Sequence, residues 1–477
     1  MKAIIPLLLA GPFVLFTNEV ERSSGTGQPK GGAGIIDLDD LPNYMAQAVP
    51  AYILRDNTPL ENPITDAGAT LGRVLFYDKQ LSVDGTLNCA SCHQQAHAFS
   101  DAAPASVGVN GSTGRHSMRL INARFAQELR FFWDERAVDL EEQTTMPIRD
   151  HAEMGFSGAL GAPAFDSLIT RLYTLPYYAP LFTVAFGDAV ITEQRMQDAL
   201  AQFVRSIQSF DSRFDQGRAV VGANGPPFPN FTPQENAGKQ LFLAPPQFNA
   251  QGQRIGGGAG CQGCHRAPEF DIDPNSGNNG IIGSIGGGTD LTNTRSPSIR
   301  DLVKPDGTPN GPFFHNALTP TLAGVIGHYD NMPPASQNPL IDPRLTPGGN
   351  LQRLQLSQQE VNELVVFLRT LTGSDVYTNS KWSDPFVDGQ LEVVGGSVQV
   401  ATVPAVAPFR VHPTITSGLV RANMPAELVG REMRVYDAAG RMVYSTVART
   451  SMDLGVLPTG TYILRVENAL QRIVIER

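Results

Sequence analysis

The chain has 477 residues, too many for one hydrophobic core, and its 41% apolar content is enough to fill two to four domains. A net charge of −10 disfavours nucleic acid and anionic membrane surfaces as partners. Charged residues make up only 17%, while Gly (47) and Pro (36) are plentiful, so long irregular loops are expected. At the N-terminus, Lys2 precedes an apolar run over residues 4–16, too short for a bilayer span and suited to a secretory signal within residues 1–24. Thr65-Asp66 leading into Leu71-Gly72 and Leu75-Phe76 predicts a helix, which the pentad Cys89-Ala-Ser-Cys92-His93 follows. Residues 192–214 carry Met196, Leu200, Phe203, Val204, Ile207, Phe210 and Phe214 at helical spacing and predict one amphipathic helix. The Gly/Pro-rich residues 221–231 read as a linker. Thr232-Pro233-x-Glu235 then opens a helix that repeats the earlier Gly-x-x-Leu-Phe pattern as Gly238, Leu241 and Phe242. In such a pattern the glycine lets another helix pass close, while Leu and Phe face the buried group. A second pentad follows, Cys261-Gln-Gly-Cys264-His265. Ser357-x-x-Glu360 caps a helix with Val361, Leu364, Val365, Leu368 and Leu371, ended by Gly373. Beyond Lys381 the pattern turns to strands at 391–406, 433–436, 442–447, 461–466 and 472–475, with a turn at 437–440, which predicts a small β-sandwich.

The two pentads use all four cysteines. C-x-x-C-H is the signal for covalent haem c: two thiols take the porphyrin vinyl groups and the adjacent histidine reaches the iron. A redox C-x-x-C or a four-cysteine zinc site is the alternative, but zinc leaves both histidines without a role. Two haem c groups are therefore expected. Covalent haem attachment in bacteria takes place outside the cytoplasm, which agrees with the leader and points to the periplasm or beyond.

Between and around the pentads stand LGRVLFYD, CASCHQQAHAFSD, FFWDERAVDLEEQ, EMG, PSIRDL, FFHNALTPTL and HYDN, in that order. Over residues 40–375 this resembles the bacterial dihaem cytochrome c peroxidase/MauG family. The resemblance implies a peroxidase that reduces hydrogen peroxide to water with electrons from a small soluble donor such as cytochrome c. It makes His93 the proximal ligand of the peroxidatic haem, with Gln143, Pro147 and Glu153 on the far side. Glu153 would be the proton shuttle, Gln143 would orient it or the peroxide, and Pro147 would limit what binds. Trp133, one of two tryptophans, would relay electrons between the haems. The second haem would be held by His265 and a distal ligand, methionine in the peroxidases and tyrosine in the MauG branch. If residues 321–332 are helical, Leu322, Val325, Ile326 and Tyr329 share one face, so Tyr329 is favoured, with His328 and Met332 as alternatives. The other readings are a MauG-like oxidase acting on a protein substrate and an electron-transfer cytochrome without turnover.

Two departures from the family pattern stand out. Many of these peroxidases carry a loop histidine that blocks the peroxidatic iron until the other haem is reduced. The loop 106–115 has none, and His97 reads as structural, which leaves His116 as the remaining candidate. The first haem is thus expected to be open to peroxide in the oxidised protein. His116 also stands where the family has a calcium-binding asparagine. Imidazole is a poor calcium ligand, which disfavours that ion even with backbone carbonyls near Arg295 and Pro297.

The tail, from residue 413 onward, resembles the type IX secretion sorting domain of Gram-negative bacteria in Val435-Tyr-Asp-Ala-Ala-Gly-Arg441, the 457–462 stretch and the basic terminus Arg477. It implies the type IX machinery as a partner; a carbohydrate-binding or adhesive β-domain is the alternative. The expected fold is mainly α. A leader (1–24) would precede two cytochrome c-like haem domains, 35–220 (peroxidatic) and 221–380 (electron transfer). A linker (381–408) and an all-β sandwich (409–477) would follow. Family members are often homodimers, and no interface is legible here.

Overall fold

The computed structural model describes residues 34–272, 274, 276–332, 338–396, 410–424, 426–437, 442–466 and 469–476. The leader, residues 397–406 of the Val-rich stretch and most of the predicted 437–440 turn lie outside the described residues. The chain divides into two compact units, Met1–Gly395 and Gly396–Arg477.

The first unit contains two apolar cores. Helix α1 (Asp66–Tyr77) starts at Thr65, whose hydroxyl accepts the Gly68 N–H at 2.9 Å. The first pentad forms α2 (Cys89–Cys92). Then come α3 (Leu140–Arg149), α4 (Phe165–Leu172), α5 (Tyr178–Phe186) and α6 (Glu193–Ser206). Helices α1 and α6 cross where a Cβ on Gly72 would stand 1.9 Å from the Ala199 carbonyl oxygen. A buried pair, Arg205 to Glu141 at 2.5 and 2.9 Å, fastens α6 to α3.

The second core opens with α7 (Arg213–Val221), α8 (Pro233–Leu243), α9 (Leu322–Asp330) and α10 (Gln358–Arg369). The capping boxes predicted at Thr232/Glu235 and Ser357/Glu360 both form. Helices α8 and α10 repeat the glycine crossing: a Cβ on Gly238 would meet the Glu363 carbonyl oxygen at 1.9 Å. Phe214, Phe242, Phe270 and Phe367 pack ring to ring at 4.7–6.4 Å.

Three expectations change. The single helix over 192–214 is two helices. Chain direction breaks at Ile207, and a capping box between Ser212 and Asp215 restarts it; apolar spacing continues because Ile207 and Phe214 are buried, each in a different core. The 221–231 stretch is anchored rather than loose, since Phe228 and Phe231 are buried and Lys239 donates to the carbonyls of Asn224 and Pro226. Up to residue 394 the predicted 381–408 linker belongs to the first unit. Trp382 is fully buried there, and Leu391–Val394 pairs in parallel with Gly34–Asp37.

The second unit has a five-stranded sheet, ordered Ile415–Thr416, Ala469–Ile475, Gly460–Val466, Glu432–Asp437 and Met442–Val447. A three-stranded sheet, ordered Ser451–Asp453, Leu419–Asn423 and Arg410–His412, shares one core with it. The expected 433–436/442–447 hairpin is present, with Val435 opposite Tyr444. With this unit and the irregular loops counted, the mainly-α expectation holds only in part: among the described residues 30% are helical and 18% strand, with a β-sheet unit at the C-terminus. Among the described residues no helix is long and apolar enough to cross a membrane.

Candidate active site

Residues before and after the first pentad hold it in place. Asn88 donates its side-chain amide to the Tyr77 carbonyl at the end of α1, and its own N–H bonds Ser91 Oγ at 3.1 Å. His93 continues the turn through its N–H to the Cys89 carbonyl, 2.9 Å. The His93 ring is oriented by Nδ1, 3.1 Å from the Phe99 carbonyl. That bond makes Nδ1 the donor and leaves Nε2 as the nitrogen able to bind a metal. Burial lowers the imidazole's pKa, so it is neutral, as a ligand must be. Burial also raises the Cys89 and Cys92 thiols to about 12 and about 11, the reverse of a reactive redox C-x-x-C.

Both cysteines and His93 line a cavity of about 410 Å³, within the range of small-molecule and cofactor sites. The same cavity collects Gln143, Pro147, Glu153 and Trp133. Helix α3 brings Leu140, Gln143, Thr144 and Pro147 to it on one stripe, while Glu141 on another face holds Arg205. Proline inside a helix removes a backbone bond and costs about 3 kcal/mol, and here it stands on the cavity wall. Glu153 follows α3 in a turn in which its N–H bonds Asp150 Oδ1 at 3.1 Å. Its carboxyl is raised to about 7, first by burial and then by Asp150, with Arg136 opposing.

Trp133 also lines a second, smaller cavity of about 100 Å³, which contains His265 and Tyr329. Its indole N–H donates to the His116 carbonyl at 2.8 Å, and its own carbonyl accepts the N–H groups of Thr294 and Arg295 at 2.8 and 3.0 Å. The second pentad makes a 3₁₀ turn rather than an α-turn. Burial, with Arg344, lowers His265 to about 4, and its buried Nδ1 has no hydrogen-bond partner. Of the three distal candidates, Tyr329 lines the His265 cavity. His328 instead sets Nε2 2.8 Å from the Asn279 carbonyl, and Met332 lies buried beside Gly280. Burial, followed by the nearby Cys264 thiol, raises the Tyr329 phenol.

The donor sets fit a haem at each pentad, each with a neutral imidazole beside two cysteines. Among the described residues no group of three or more His, Cys, Asp or Glu could hold a metal ion, so the pentads do not join into a four-cysteine zinc site. His97 is held by Asn310 at 3.2 Å, and His116 places Nδ1 3.0 Å from the Ala103 carbonyl.

Two features escaped the sequence reading. Fully buried His315 stands edge-on to Trp133 with centroids 6.1 Å apart, and Nδ1 is 2.8 Å from Asn293. Aligning Phe131-Phe132 with Phe313-Phe314 also puts Trp133 against His315, Asp139 against Thr321, and Pro147 against Tyr329. The structure repeats the same turn. Phe132 and Phe314 have φ of 71° and 69°, Glu135 and Ala317 have 54° and 56°, and Asp139 and Thr321 cap α3 and α9. The repeated Phe-Phe pair was the signal available in the sequence.

The comparisons bear on the two pentads. Residues 66–220 match the family Di-haem cytochrome c peroxidase, and the chain belongs to that family. It is 32% identical to methylamine utilization protein MauG of Methylophilus methylotrophus, over 66% of this chain and 85% of that one. It is 25% identical to cytochrome c551 peroxidase of Nitrosomonas europaea, over 69% and 88%. Among solved structures it resembles a MauG-like protein associated with microbial copper homeostasis. The TM-score is 0.53 and the identity 26%, over 71% of this chain and 98% of that one.

Proposed function

We propose that the protein is a dihaem c peroxidase that reduces hydrogen peroxide to water with electrons from a small donor such as cytochrome c. The observation that carries this reading is the gathering of Cys89, Cys92 and His93 with Gln143, Pro147 and Glu153 around one cavity, with Glu153 raised to about 7. The haem, when bound, supplies the redox-active iron. Glu153 would take the proton from one peroxide oxygen and return it to the other, so that the O–O bond breaks and one oxygen leaves as water; two electrons from the donor and two protons from solvent would bring the second oxygen to water. Gln143 has donors and an acceptor but no labile proton, and orients peroxide or Glu153. Pro147 supplies a non-coordinating wall. Trp133, shared by both cavities, is the electron relay, and His265 with Tyr329 serve the receiving haem.

Covalent attachment at Cys89, Cys92, Cys261 and Cys264 belongs to this reading, as does export to the periplasm or, through a type IX sorting tail, to the cell surface. The β-unit supports the tail assignment by its strand pattern alone. Calcium is disfavoured, because His116 brings nitrogen where oxygen is wanted. A MauG-like oxidation of a protein substrate is the second reading, favoured by Tyr329 in the His265 cavity.

Steady-state peroxide reduction with reduced cytochrome c tests the first reading. Glu153→Gln should lower kcat/KM for peroxide by about 10²–10⁴-fold. Equal rates in wild type and variant remove Glu153 from the mechanism, and a wild type that does not oxidise cytochrome c shifts the weight to a protein substrate.

A further inference from the structure

The loop after the first pentad folds back on the segment that carries Glu153. Val107–Gly108 pairs with Gly111–Ser112 in a hairpin. From its turn, the Val109 N–H donates to the Glu153 carbonyl at 2.9 Å and the Asn110 N–H to the Ala152 carbonyl at 3.2 Å. The Asn110 side-chain amide donates to the His151 carbonyl at 2.9 Å. The approach needs glycine: a Cβ on Gly108 would lie 2.0 Å from the Ala152 oxygen and 2.9 Å from Glu153 Cα. On the other side, the Val83 N–H bonds the Met154 carbonyl at 2.9 Å. A Cβ on Gly155, where φ is +88°, would press on both Val83 and Val109. The Glu153 backbone is thus held from two sides, and Asp150 Oδ1 holds its N–H from within.

A hairpin with two residues per strand does not stand alone in water. Its base is tied at Ser106, whose Oγ donates to Asp101 Oδ2 at 2.5 Å and whose carbonyl accepts the Thr113 N–H at 2.9 Å. Its tip is ordered by docking on residues 151–153, so tip and Glu153 segment fix each other. We propose that the hairpin is a positioning clamp for Glu153, with Gly108 and Asn110 as positioning residues. This rests on the reading of Glu153 as the proton shuttle. A shuttle must be held close to the peroxide oxygens, and displacement of about 1 Å can cost about a hundredfold in rate.

The test uses the haem-loaded full chain with Asn110→Ala and Gly108→Ala, Glu153→Gln as reference and Ser112→Ala as control. Asn110→Ala removes one hydrogen bond and adds no volume, so it carries the test if Gly108→Ala fails to fold. The clamp variants should lower kcat/KM for peroxide by about tenfold or more. The acid limb of their pH–rate profile should move down from about 7 toward the ordinary carboxylate range as Glu153 meets water. Hydrogen exchange should speed up together in residues 107–112 and 150–155, with the haem absorbance unchanged. A merely structural role moves neither the limb nor the two segments in concert. The clamp is overturned if the variants keep the wild-type limb and rate while Glu153→Gln loses activity, or if exchange in one segment rises without the other. If Glu153→Gln keeps the wild-type rate, the shuttle reading fails instead, and the exchange result still decides whether the hairpin holds the segment.

Discussion

Burial sets the chemistry of Glu153. An exposed glutamate is fully ionised at neutral pH and returns a proton poorly; raised to about 7, this one can both take and give. The sign of the pH dependence follows. On the proposed shuttle role the ionised form takes the first proton, so kcat/KM should rise as pH passes upward through about 7, and Glu153→Gln should flatten that limb. Asp150→Asn removes a negative neighbour and should shift the limb down, measured on the same profile. Most of the residues gathered at the cavities were legible because local motifs mark them: the pentads, the Phe-Phe-Trp133 run, and Glu153-Met-Gly155. His315 was not, because its place beside Trp133 is created by tertiary hydrogen bonds across a loop without periodicity, such as the His116 N–H to its carbonyl at 2.7 Å.

At the scale of elements, the helix starts at Thr65, Thr232 and Ser357 were readable because a cap is a local contract between a side chain and nearby backbone N–H groups. The break after Ser206 was not. Apolar spacing records burial, and the chain stays buried while it changes direction; Asn122 secures the bend with Ser209 N–H donating to its Oδ1 at 2.8 Å. The repeated Gly-x-x-Leu-Phe pattern carries a sharper consequence. Gly72→Ala and Gly238→Ala each force a helix pair apart and should destabilise the holoprotein by about 1–3 kcal/mol, measured by denaturant unfolding. Gly225→Ala, where nothing lies near the added Cβ and φ is not positive, is the control for volume alone.

For the whole molecule, the second unit has a core of its own between residues 411 and 475, so it is expected to fold without the first. A chain stopped at Gly395 should keep its haem content, absorbance spectrum and peroxide rate, and, on the sorting-tail proposal, lose only its export. Truncation before residue 382 should differ, since Trp382 is buried in the first core with its indole N–H 3.2 Å from Ser206 Oγ. That loss should appear as a lower melting temperature. The Val-rich stretch looked like the start of the tail because strand propensity says nothing about which partner a strand finds; residues 391–394 find Gly34–Asp37.

The matching turns before α3 and α9 make the two halves variants of a single template, differing in what the shared slot presents. In one half the slot displays a ring with no lone pair to give, in the other a phenol. On the proposed roles, that slot, together with Gln143 and Glu153 at the first cavity, separates a reacting centre from a conducting one. Pro147→Tyr should convert the reactive half into a second conductor, seen as a ligand-capped spectrum and the disappearance of peroxide turnover while both porphyrins remain attached.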